Sequence, residues 1–191
     1  MRRRHPAITP PAAGPPAPQV TGPLAVHRAR LVLSPSYRLT TSDGLEVGLA
    51  RYSALNIYFF GRGQRITLPW GACWRLTAAA RGSGLTAVVA NEAGRRLAVA
   101  APGAAAGNYG IVGRDYAFTL NPAEGGLGRA RLWDLFDGEE VVARFTRRPF
   151  GGNCLRPIPL PVVLLGLLLV RFGIPGENEL RLPGVYPGTR R

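Results

Sequence analysis

The chain has 191 residues, enough for one domain with a sizeable core, and a hydrophobic fraction of 46%, ordinary for a globular protein. Its 24 basic residues are all arginine and stand against 11 acids, for a net charge of +13. The lack of lysine excludes a phosphate-loop lysine and a Schiff base, and the two histidines, His5 and His27, leave none inside the folded part for a Ser-His-Asp or Cys-His arrangement.

Arginine is abundant together with Ala, Gly and Pro, as in the coding bias of a GC-rich bacterial genome. The charge excess therefore has two readings, coding background or the mark of an anionic partner. Cys73 and Cys154 stand 81 positions apart with no ligand residues near them, which reads as two separate buried thiols. No metal site and no cofactor is expected.

The first residues, MRRRHPAITPPAAGPPAP, place prolines where an export signal would carry its apolar run. The expectation is a cytoplasmic protein which, where it meets a membrane, does so peripherally at the inner face. Residues 1–27 hold seven prolines and few large apolar side chains. Such a segment buries too little surface to offset its ordering entropy, so the composition predicts a disordered tail.

From Arg28 the chain breaks into short alternating segments. Three share one design. Tyr37 and Leu39 lead through Asp43-Gly44 to Leu45, Val47 and Leu49. Leu85, Ala87 and Val89 lead through Asn91 to Gly94, then Leu97, Val99 and Ala101. Leu132 leads through Asp137-Gly138 to Val141, Ala143 and Phe145. Each predicts a hairpin, because Asp-Gly or Asn-x-x-Gly supplies the positive φ of a tight turn, and period-two alternation sets one face on a core. Further strands are expected over 54–60, 65–68, 73–79, 108–112 and 116–120. This spacing indicates an antiparallel sandwich or barrel.

The sequence then changes character. Val162 to Val170 carry no polar side chain, with Pro159 and Pro161 ahead of them and Gly173 and Pro175 behind. This predicts a helix over 161–172, apolar on every side and therefore buried on every side. It is well short of the roughly 20 residues that a membrane span needs. Strands of five or six residues reach about 17–20 Å, which matches the helix, so a closed sheet with an apolar plug satisfies both. Gly166, mid-helix, predicts close approach of a large wall side chain, with Trp70, Trp74 and Trp133 as the candidates. Residues 28–173 then form the barrel, and residues 174–191 a C-terminal tail.

The arrangement resembles the LURP-one-related proteins, which share a fold with tubby C-terminal domains and phospholipid scramblases. The residues that carry the likeness are Asp43-Gly44, Asn91-Glu92-Ala93-Gly94, Asp137-Gly138 with Val141-Val142-Ala143, and Pro159-Leu160-Pro161. The resemblance implies a mainly β fold, a closed antiparallel barrel of about twelve strands around a hydrophobic C-terminal helix. It also implies a lipid- or membrane-surface-binding module or scaffold. One departure is that the helix runs into Arg171-Phe172-Gly173, where the family commonly has an acidic residue.

The carboxylates fall mostly in or beside turns, where a backbone role explains them, so a non-enzyme is expected. The candidate anion- or lipid-binding residues are Arg144, Arg147, Arg148 and Arg156, interleaved with Phe145 and Phe150, together with Arg62 and Arg65. Arginine forks suit phosphate oxygens, and exposed aromatics beside them suit a membrane interface. An anionic phospholipid or membrane surface is the expected partner, with a protein partner as a further one. Two alternatives from other classes are a nucleic-acid-binding basic protein and a small protein anchored in the membrane by residues 157–173.

Overall fold

The structure, a computed structural model, describes residues 17–31, 34–49, 64–81, 84–105, 107–123 and 132–172. Among them run twelve strands: β1 (Gln19–Leu31), β2 (Ser34–Thr41), β3 (Glu46–Leu49), β4 (Gln64–Thr67), β5 (Cys73–Arg81), β6 (Gly84–Asn91), β7 (Arg96–Pro102), β8 (Tyr109–Gly113), β9 (Ala117–Pro122), β10 (Leu132–Asp137), β11 (Glu140–Thr146) and β12 (Gly151–Pro159). Each pairs antiparallel with its neighbour in sequence. β1 pairs with both β2 and β12, so the sheet closes and no edge remains. One helix, α1 (Leu160–Phe172), follows β12 directly and threads the barrel, touching β1, β6, β7, β8, β11 and β12. A closed antiparallel barrel around a C-terminal helix is the fold expected from the sequence. The strand expected over 54–60 lies outside the described residues.

Three turns are built alike. In Thr41–Leu45, Leu68–Ala72 and Asn91–Arg95 the first residue's N–H donates to the fifth residue's carbonyl, and the glycine's N–H donates back to the first carbonyl, all at 2.9–3.1 Å. Gly44, Gly71 and Gly94 have φ of 81°, 85° and 74°, a region that side chains with a β-carbon avoid. In the first and third, the Thr41 hydroxyl and the Asn91 amide oxygen also accept the fifth residue's N–H, at 3.0 and 2.9 Å.

Strand parity follows the alternation in the first hairpin, where Leu39 faces Val47 and both are fully buried. In the other two it is reversed on one arm. A bulge after Val89 pairs Val89 with Ala98 and Ala90 with Arg96, leaving Leu97 as the extra residue. Ala98 and Ala100 therefore point inward, whereas Leu97 and Ala101, expected there, are half-buried. A second bulge pairs Leu135 with Ala143 and Phe136 with Val141. Here Trp133 and Leu135 face the core and Leu132 does not. An extra residue in one strand shifts the period by one, and a pattern read across the turn then assigns the wrong face.

The boundary expected at residue 28 is corrected by β1. Val20 and Leu24 are 1% and 5% exposed, and Gln19, Val20 and Gly22 to Ala25 pair with β12. The tail composition hides a strand because Gly22-Pro23 reads as a breaker. In the barrel that glycine, at φ 76°, sits where the register against β12 shifts from Val20–Ile158 to Gly22–Cys154. A β-carbon there would lie 2.5 Å from Ser42 Oγ, which donates to the Thr21 carbonyl at 3.0 Å.

Helix α1 begins one residue earlier than the proline spacing predicts. The Leu160 N–H donates to the Pro18 carbonyl at 2.8 Å, and Pro161 has no N–H to satisfy. Leu160 to Val170 are buried throughout. Burying each such leucine or valine contributes about 1.5–3 kcal/mol. At the far end Arg171 places its guanidinium 6.0 Å from the Phe150 ring centroid, and its charge suits the negative end of the helix. The membrane-anchor alternative does not hold. Residues up to Pro159 belong to β12, the helix is enclosed by the wall, and no described helix is long and apolar enough to cross a membrane.

Candidate functional site

Antiparallel up-and-down topology gives the barrel two rims. At the proximal rim α1 begins, beside the turns at 41–45, 68–72, 91–95, 113–116 and 137–140. At the distal rim α1 ends, beside the β1–β2, β5–β6, β7–β8 and β11–β12 connections. Of the eight described carboxylates, seven lie in or beside proximal turns: Asp43, Glu46, Glu92, Asp115, Asp137, Glu139 and Glu140. The eighth, Asp134, is mid-strand. Among the described residues the distal rim has no acid. It carries Arg147 and Arg148 in the β11–β12 turn and Arg171 at the end of α1, and the strand positions of Arg30 and Arg81 adjoin it.

The predicted arginines are not one face. Arg144 projects from β11, its Nε 3.1 Å from Asp134 Oδ1. Arg147 and Arg148 follow at the distal rim. Arg156, on β12, lies at the proximal rim, where one nitrogen meets the Glu140 carboxylate at 3.1 Å and another meets Asp137. The seven residues of β11 put roughly 20 Å between that site and Arg147. With two acids on it, Arg156 is already neutralised and is removed from the candidate set. Arg65 lies on β4, far around the wall, and Arg62 falls outside the described residues. The aromatics are also corrected. Phe145 is fully buried, and Phe150 is half-buried, edge-on to Tyr37 with ring centroids 6.2 Å apart.

Two grooves on the outer wall are formed by described residues. One, of about 530 Å³, runs beside the distal rim and is lined by Leu24 to His27, Leu132, Arg144, Thr146 and Pro149 to Asn153. Its glycines are required by close backbone approach. A β-carbon on Gly151 would lie 2.4 Å from the Leu24 carbonyl oxygen, and one on Gly152 2.5 Å from that of Arg144.

The second groove, of about 550 Å³, crosses β4 to β7. Arg65 pairs with Arg75, Arg75 with Ala90, and Ala90 with Arg96, so three arginines share one row across four strands. Of these three only Arg65 is a candidate from the sequence, because the row exists only once the strands are in register. Arg65 donates from Nε and Nη2 to Cys73 Sγ at 3.1 and 3.0 Å, and the Cys73 N–H donates to Glu92 Oε1 at 3.1 Å. Its hydrogen bonds to the Cys73 sulfur raise the Arg65 pKa. Both cysteines are free and buried. Burial pushes the Cys154 thiol up to about 12.

Compared with known proteins, the chain matches no family model, no curated protein and no solved structure. The likeness to the tubby-like fold rests on architecture: a closed antiparallel barrel around one C-terminal helix.

Proposed function

We propose that this protein is a non-catalytic, tubby-like barrel that docks on anionic phospholipid surfaces with its distal rim toward the lipid. One observation carries the reading, the segregation of charge: among the described residues, seven of eight carboxylates are at the proximal rim, and the charged residues at the distal rim are arginines. A charge dipole along the barrel axis orients the molecule before contact, since each basic residue near an anionic surface contributes about 1 kcal/mol. The distal groove adds apolar lining from Leu24, Val26 and Phe150 beside Arg144. Peripheral contact suits the wall better than insertion. Its outward positions include Arg38, Glu46, Arg65, Arg75, Arg96 and Arg144, all exposed, whereas a lipid-facing barrel carries an apolar outer band.

The nucleic-acid reading rests on the same arginines but lacks a reader element, and the aromatics that could stack on bases are largely in the core. Co-sedimentation with phosphatidylserine-containing vesicles, phosphatidylcholine vesicles and duplex DNA at matched phosphate separates the two. Preference for the phosphatidylserine vesicles supports lipid docking, and preference for DNA rejects it.

A further inference from the structure

We infer that the outer groove over β4 to β7 binds a small anion carrying two or more phosphoryl groups. It lies on the flank of the barrel and does not depend on the membrane reading. Arg65 and Arg75 stand directly opposite each other, and like charges so placed are unfavourable. Arg75 and Arg96 have no acidic partner among the described residues. The space between them is left open by Ala90, with Val88 and Thr77 alongside. A row of like charges over a floor of small side chains is costly for the empty protein, and a bridging anion relieves that cost.

The dimensions select the ligand. Arg75 and Arg96 are two strands apart, about 10 Å at their Cα atoms. One phosphate occupying one guanidinium fork leaves the other unneutralised, whereas a diphosphoryl or triphosphoryl group reaches both. The groove volume, about 550 Å³, falls within the range of small-ligand pockets. Arg65 is fixed by its two bonds to Cys73 Sγ, and that backbone is held in turn by Glu92. One side of the site is therefore positioned before a ligand arrives, while Arg75 and Arg96 close on it. Glu92 is the one acid in the lining and sets the limit on affinity for a monoanion.

Titration calorimetry of the full chain with inorganic triphosphate, pyrophosphate and monophosphate tests the site. The expected result is one triphosphate per chain, with affinity falling in that order. Arg75→Gln and Arg96→Gln should each weaken triphosphate by about tenfold or more, the loss of one charge-assisted fork. Arg38→Gln, on the same outer wall but paired with Glu46, and the double change Arg147→Ser with Arg148→Ser should leave it unaltered. Competition with phosphatidylcholine vesicles doped with diacylglycerol pyrophosphate identifies the source. Displacement of triphosphate assigns the site to a lipid headgroup, and persistence assigns it to a soluble anion. The inference is overturned if triphosphate binds no better than monophosphate. It is equally overturned if Arg38→Gln weakens binding as much as Arg75→Gln does.

Discussion

The Phe145 ring lies against Gly166 so closely that a β-carbon on Gly166 would sit 2.6 Å from Phe145 Cε2 and 2.8 Å from Cζ. Wall and plug are fitted to each other at this point, and the fit decides the sign of a substitution. Alanine is a better helix former than glycine by about 1 kcal/mol. Against that, Phe145 is fully buried and has little room to retreat, and overpacking a core costs about 1–3 kcal/mol. Gly166→Ala is therefore expected to lower stability, and Gly166→Ala combined with Phe145→Leu to lose less than the sum of the two single changes. A double-mutant cycle by denaturant unfolding measures the coupling. Additive losses would show that the ring and the helix do not meet.

The helix was legible because its chemistry is local: nine apolar residues between prolines have one physical outcome. The hairpin turns were legible for the same reason. The partner of Gly166 was not. The three tryptophans were the natural candidates by size, yet Trp70 is exposed, and the closest side chain is Phe145, placed opposite Gly166 by the register of β11. The expected faces of β7 and β10 do not hold, because a bulge leaves no clear mark in a short apolar run, whereas Ala143 and Phe145 of β11 face the core as expected. The arginine row on β4, β5 and β7 was invisible for a related reason: its members come from segments that alternation alone cannot align.

The start of the barrel gives a second prediction. Val20→Ala removes two buried methyl groups and should cost about 1–2 kcal/mol, at roughly 0.8 kcal/mol for each. Deleting residues 1–23 removes Val20, the Pro18 carbonyl that accepts the Leu160 N–H, and part of the β1–β12 ladder. That deletion should lower the melting temperature far more than deleting residues 1–16 does. Equal melting of the two truncated forms would place the domain boundary back near residue 28.

Buried Cys154 sets an alkaline limit on the fold. Burial raises its thiol from 9.0 to about 12, and burial first, then the charge of Asp115, raises the Tyr116 phenol from 10.0 to about 12. Both groups are neutral in the folded and unfolded chains at lower pH, so the fold suffers no loss from them below about pH 9. Above it the unfolded thiol ionises while the folded one does not. The thiol alone then lowers stability by up to about 1.4 kcal/mol per pH unit as the pH climbs toward 12, and above about pH 10 the Tyr116 phenol adds up to about as much again. In Cys154→Ala the decline should begin about one unit later, where Tyr116 takes over. Urea melts of both proteins between pH 8 and 11 are the measurement, and parallel curves would count against a desolvated thiol.

The distal rim gives the functional prediction. If the arginine end of the barrel meets the membrane, the double variant Arg147→Ser with Arg148→Ser should lose about 2 kcal/mol of binding to anionic vesicles, roughly thirtyfold. Both residues lie in the β11–β12 turn, outside the core, so melting should change little. Raising the salt should remove what binding remains, because attraction to a charged surface decays within a Debye length of about 8–10 Å near physiological ionic strength. The matching control is Arg156→Ser. That residue sits at the opposite rim with Asp137 and Glu140 around it, so replacing it should leave vesicle binding intact. An undirected excess of positive charge predicts something different: each arginine lost would weaken binding alike, wherever it stood. If Arg156→Ser weakens binding as much per charge as the distal pair does, the oriented docking is wrong and the arginines act only as a diffuse cloud.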